Sequence, residues 1–112
     1  MTAATHNLIV NQGSDFAMEL KLSENGEVRN LTGYFARSQI RAKKTDSSIS
    51  AQFTCNVHTP LEGKLSMELP NSVTKTLSPG IYHYDLELYT NEDAIVVRLL
   101  EGTVTVTAEV TR

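Results

Sequence analysis

Apolar and polar residues alternate along most of this chain. Phe16, Met18, Leu20 and Leu22 are large and apolar, whereas Asp15, Ala17, Glu19 and Lys21 between them are small or charged. Only an extended strand sends such a set to one face, so residues 15–22 are read as a half-buried strand. Asn25-Gly26 then predicts a tight type I′ turn, because both residues tolerate the positive φ that turn needs. Glu27 to Leu31 reads as a short strand, broken by Thr32-Gly33. From Tyr34 to Arg41 the alternation returns, with Tyr34, Ala36, Ser38 and Ile40 inward and Arg37, Gln39 and Arg41 outward. Beyond the polar loop Thr45–Ser48, it places Ile49, Ala51, Phe53 and Cys55 on one side.

Pro60-Leu61-Glu62-Gly63 reads as a turn into the strand Lys64–Leu69, which Pro70 ends by removing a ladder donor. Residues 71–77 are the one stretch suited to a short helical turn, and Pro79-Gly80 is a turn pair. In Ile81–Leu88, Tyr82, Tyr84, Leu86 and Leu88 form a core face, and His83, Asp85 and Glu87 the polar face. After a loop at Asn91-Glu92-Asp93, Ile95, Val97 and Leu99 are expected inward. Farther on, the apolar residues fall on even positions, at Val104, Val106, Ala108 and Val110. That change of parity calls for an extra residue in the strand, and Glu101-Gly102 is the expected bulge.

Seven or eight short strands with turns about every ten residues predict an all-β fold, an immunoglobulin-like antiparallel β-sandwich. A small barrel fits the same pattern. Residues 7–112 are read as one sandwich domain and residues 1–6 as a flexible tail. At 112 residues the chain suits a single domain. A globule of this size buries roughly two-thirds of its unfolded surface, enough for stability without disulfides or metals.

Composition narrows the function. A net charge of −3 and a pI near 5.5 argue against nucleic acid, whose backbone requires a clustered basic face. Arg41, Lys43 and Lys44 form the one basic cluster, read as a solvated strand end. Cys55 is the single cysteine, so no internal disulfide or C-x-x-C pair exists, in keeping with synthesis in a reducing cytoplasm. No signal-like start and no apolar run near the ~20 residues of a membrane span are present, so a soluble protein without a membrane partner is expected.

The search for chemistry yields little. No serine sits in a G-x-S-x-G elbow, and no glycine-rich phosphate loop precedes a helix. His6 lies in the tail and His58 beside the Thr59-Pro60 turn. His83, Asp85 and Glu87 share a strand face at a spacing that could hold a divalent cation, but a solvated strand displays the same residues. The threonines at 103, 105 and 107 form an outward row that β propensity explains without a ligand. Phe35 and Tyr89 are the aromatics expected near the surface. No catalytic, cofactor-binding or metal residue is assigned, no cofactor is implied, and the pattern favours neither an enzyme nor a small-molecule site.

Four stretches carry a likeness: Leu31-Thr32-Gly33-Tyr34 leading into Arg37–Arg41; Gly63-Lys64-Leu65 ending in Leu69-Pro70; Leu77–Glu87; and Arg98–Val106. In order and spacing the chain resembles small β-sandwich virion structural proteins of tailed bacteriophages. Its layout is similar to the amino-terminal domain of phage baseplate upper proteins. That resemblance implies a non-enzymatic virion part, made in the host cytoplasm, that serves as an assembly or adaptor subunit of tail, baseplate or fibre attachment. Its partners would be other virion subunits, itself included. Baseplate members continue into a receptor-binding region, whereas this chain ends at Arg112, which favours an adaptor or a capsid decoration (cement) subunit. A carbohydrate- or surface-binding module is the alternative from another class. The short strand Val28–Leu31 and a C-terminal strand running to Arg112 are the expected pairing edges.

Overall fold

A computed structural model describes residues 3–111 and places ten strands among them. In chain order these are β1 (Ala4–Thr5), β2 (Leu8–Asn11), β3 (Phe16–Lys21), β4 (Ser23–Glu24), β5 (Glu27–Val28), β6 (Phe35–Arg41), β7 (Ala51–Thr59), β8 (Lys64–Leu69), β9 (Gly80–Tyr89) and β10 (Val96–Thr107). One helical turn, α1 (Asn71–Thr74), falls inside the stretch expected to hold it. No helix of the described residues is long and apolar enough to cross a membrane.

Apart from β4 and β5, which form a two-stranded sheet of their own, the strands form two layers joined through β7. Its first residues pair antiparallel with β6, through Ala51↔Ile40 and Phe53↔Ser38. Its later residues pair with β8, through Thr54↔Glu68 and Cys55↔Met67. One layer is therefore β10-β9-β6 and the start of β7, and the other is the end of β7, β8 and β3. This is an immunoglobulin-like β-sandwich in which one long strand bends from sheet to sheet.

The core sits between the layers, and alternation decides who enters it. Leu86 and Leu88 of β9, Ile40 of β6, and Leu65 and Met67 of β8 are wholly buried. The rings of Phe16 and Phe53 (centroids 5.8 Å apart) and of Phe53 and Tyr84 (6.1 Å) run in series across the layers. Burial raises the Tyr84 phenol to about 12, and its hydroxyl donates to the His6 carbonyl at 2.6 Å. Cys55 is half-buried, and desolvation pushes its thiol up to about 11, which keeps it a packing residue rather than a nucleophile. Among the described residues no buried side-chain nitrogen or oxygen lacks a partner. Buried Ser38 donates to the Asp85 carbonyl at 2.5 Å, and buried Thr74 donates to the Ser14 carbonyl at 2.8 Å while accepting from Gly13 N–H at 3.1 Å.

Several expectations need correction. Residues 4–11 run parallel to β10, with Ala4 opposite Leu100 and Leu8–Asn11 opposite Val104–Thr107. The segment to residue 6, read as a flexible tail, is thus tied down from Ala4, while Met1 and Thr2 lie outside the described residues. The same pairing means that β10 is no open edge. It ends at Thr107, and Arg112 is also outside the described residues. The change of parity in β10 is real, but the ladder slips between Arg98 and Leu100. Gly102 has a different task, since a Cβ there would stand 2.5 Å from the His6 carbonyl oxygen. Ile49 and Ile95, expected inward, are exposed, because one precedes β7 and the other precedes β10 at the end of a hairpin loop. Residues 29–31 are not strand, although Leu31 is wholly buried. Asn25 and Gly26 do take positive φ, 54° and 81°, as the type I′ turn requires.

Candidate functional site

Inward parity on β6, β9 and β10 fixes outward parity as well, so their polar residues share the solvent face of the first sheet. Register then sets them in rows. Arg37, Glu87 and Arg98 stand side by side, followed by Gln39, Asp85 and Glu101, and then Arg41, His83 and Thr103. With Lys44 from the following loop, all of these residues except Thr103 line an open groove of about 320 Å³.

Arg37 and Arg98 are matched with acids, whereas Arg41 bonds to uncharged oxygens. Arg37 Nε donates to Glu87 Oε1 at 2.9 Å, and its terminal nitrogens reach the Asp93 carboxylate at 3.2 and 3.4 Å. These two hydrogen-bonded partners hold the guanidinium above its ordinary value. Arg98 lies 3.6 Å from Asp85 and 3.5 Å from Glu101. Arg41 donates to Gln39 Oε1 and to the Asp46 carbonyl, both at 2.8 Å. Cross-strand pairs of this kind contribute about 0.2–1 kcal/mol each, and they hold the side chains in a fixed pattern.

His83, Asp85 and Glu87 share one face, as their spacing predicts, but Asp85 is drawn to Arg98 and Glu87 to Arg37. Among the described residues no three His, Cys, Asp or Glu groups converge as a metal site would require. Sequence reasoning singled out β9 and overlooked Arg98, Glu101 and Asp93. Arg98 was legible as outward, but Glu101 was read into a bulge and Asp93 into a loop, and the strand register that makes neighbours of Arg98, Asp85 and Glu101 was not available.

Asp85 is the electrostatic exception. Burial first, and then Glu87 and Glu101, raise its pKa against the opposing pull of Arg98 and Arg41. The fold therefore favours its neutral form, and stability is lost as pH rises from the ordinary carboxylate range through the raised value. Asp85→Asn escapes that loss. Urea midpoints from about pH 3.5 to about pH 7 should shift in favour of the variant as pH rises, then level off. A wild type that gains on the variant over this range would contradict the assignment.

The two ends of the face are apolar. At one end Phe35, Tyr89 and Val96 form a further row. The Phe35 and Tyr89 ring centroids are 5.6 Å apart, and the Arg37 guanidinium lies 4.5 Å over the Tyr89 ring. Phe35 is 48% exposed, consistent with its expected surface position. At the other end Ile9, Thr105 and Ile81 make a row, with Ile9 67% and Ile81 65% exposed.

No family model matches the sequence, and no curated protein matches it. Among solved structures, CopC from Methylosinus trichosporium OB3b is similar, with a TM-score of 0.51 at 12% identity over 98% of this chain and 90% of that one. InlP of Listeria monocytogenes superposes with a TM-score of 0.49 at 15% identity over 94% of this chain, which spans only 28% of that protein's length. At such identity the CopC likeness bears on the fold alone.

Proposed function

We propose that this protein is a non-enzymatic assembly subunit, a virion structural adaptor of tail, baseplate or fibre attachment that docks through the outer face of its first sheet. The observation that carries the reading is the organisation of that face. Paired charges occupy the middle, where they give register and specificity, and exposed apolar rows flank them, where burial gives affinity. The groove is open, with Glu87 2.9 Å from Arg37 and Asp85 3.6 Å from Arg98. The likeness to phage sandwich proteins in the four quoted stretches supports the virion setting. Other subunits of the particle are then the partners, and the decoration role is the variant in which those partners are capsid subunits.

Mass spectrometry of purified particles should find the chain in a fixed ratio to known structural subunits. Ile81→Asp, at an exposed position, should lower that ratio severalfold with the fold intact by circular dichroism. Particles of full infectivity that lack the chain would refute the proposal. A second reading, a carbohydrate- or surface-binding module, draws on the Phe35–Tyr89 ring pair with Asp93 beside it. Glycan-array binding that is lost in Tyr89→Ala would favour it over the first.

A further inference from the structure

The second sheet ends at β3, and no strand of the described residues pairs with its outer side. We infer that this edge is a docking strand for the same strand of a second copy, paired antiparallel about a two-fold axis at Met18. The inference rests on the assembly reading and names one of its contacts.

The edge is incompletely covered. Phe16, Met18 and Leu20 point into the sandwich yet remain half-exposed, and Ala17, Glu19 and Lys21 are exposed on the other face. Antiparallel partners directly opposite each other share a face, so inward residues must oppose inward residues. Among the registers that satisfy this, only those centred on Met18 and on Glu19 pair five of the six strand residues. Centring on Glu19 puts the two Glu19 carboxylates together. Centring on Met18 sets Asp15 against Lys21 twice, Phe16 against Leu20 twice, and Ala17 against Glu19 twice, with no like charges opposed.

The local structure leaves these groups available. Asp15 uses Oδ1 to accept from the Asn71 backbone and side-chain nitrogens at 2.7 and 2.9 Å, which leaves Oδ2 for a partner lysine. The Glu19 carboxylate has His58 Nε2 within 3.2 Å on its own chain. A six-residue edge buries less than a standard interface, so the contact is weak in free solution and gains strength where a particle holds many copies together.

Single cysteines in a Cys55→Ala background read the register directly. Ala17→Cys mixed with Glu19→Cys should cross-link under mild oxidation at least tenfold faster than either variant alone. Ala17→Cys cross-linking with itself, or Glu19→Cys with itself, overturns the proposed axis, and no cross-link in any mixture overturns the contact. In sedimentation up to about 1 mM, Lys21→Glu should raise the dimer dissociation constant about tenfold or more, since two attractions become repulsions. A wild type that stays monomeric throughout overturns the inference. A chain that is present in particles but never cross-linked refutes the β3 contact and leaves the assembly reading standing.

Discussion

Gly63→Ala is expected to destabilise the fold by about 2–5 kcal/mol, a large share of the ~5–15 kcal/mol available to a domain of this size. Two independent costs meet at this position. Gly63 has φ +67°, where a side chain costs about 1–2 kcal/mol. An added Cβ would also stand 2.6 Å from the Leu22 carbonyl oxygen and 2.7 Å from that of Arg29. Both atoms are backbone, so relief requires moving the chain, at about 1–3 kcal/mol for overpacking. The surroundings resist such movement. Gly63 O accepts from Leu22 N–H at 2.8 Å, and Pro60 O accepts from Leu31 N–H at 2.8 Å, with Leu31 wholly buried.

Gly26→Ala is the control for this prediction. It has φ +81° with nothing within 4 Å of the added carbon, so it carries only the conformational cost. Thermal unfolding should show a fall of roughly 10–20 °C for Gly63→Ala and a clearly smaller one for Gly26→Ala. Equal falls would mean that the crowding at Gly63 is not real.

The two glycines also show how far the sequence could be read. Strands β3, β6, β8 and β9 were legible because each buries one face, and burial of one face writes a period of two into the residues. Asn25-Gly26 and Pro70 were legible because backbone sterics act locally. The pairing of strands is not local. Nothing in residues 51–59 states that the first part of β7 bonds to β6 and the rest to β8, because both halves keep the same alternation. Leu8 and Val10, which pack parallel to β10, lie in a run of three apolar residues too short to declare a strand. The candidate face was legible one strand at a time, as the outward arginines of β6 and the outward acids of β9. Only the register converts them into matched rows, and register is a property of the folded pair.

Gly102 is the case in which the right residue was noticed for the wrong reason. It does not host the slip in β10. It lets the N-terminal segment cross: an added Cβ would meet the His6 carbonyl oxygen at 2.5 Å and the Asn7 side-chain oxygen at 2.8 Å. Those same atoms are in use, since His6 O accepts from Tyr84 and Asn7 Oδ1 accepts from Thr103 N–H. Gly102→Ala should therefore lift residues 4–11 away from β10 while leaving the β9–β6 pairing in place. Full detachment would uncover Leu8 and Val10, at about 1.5–3 kcal/mol each, and partial detachment should cost about 2–4 kcal/mol overall. Hydrogen exchange separates this outcome from general destabilisation. The amides of His6 and Gln12, which donate to Glu101 O and Thr107 O at 3.0 Å, should exchange far faster in the variant, through local opening. Amides in the centre of β9 should exchange only as the smaller global stability dictates. If His6 and Gln12 keep their protection in Gly102→Ala, the parallel N-terminal strand is not packed against this glycine. The sandwich would then close along β10 in some other way.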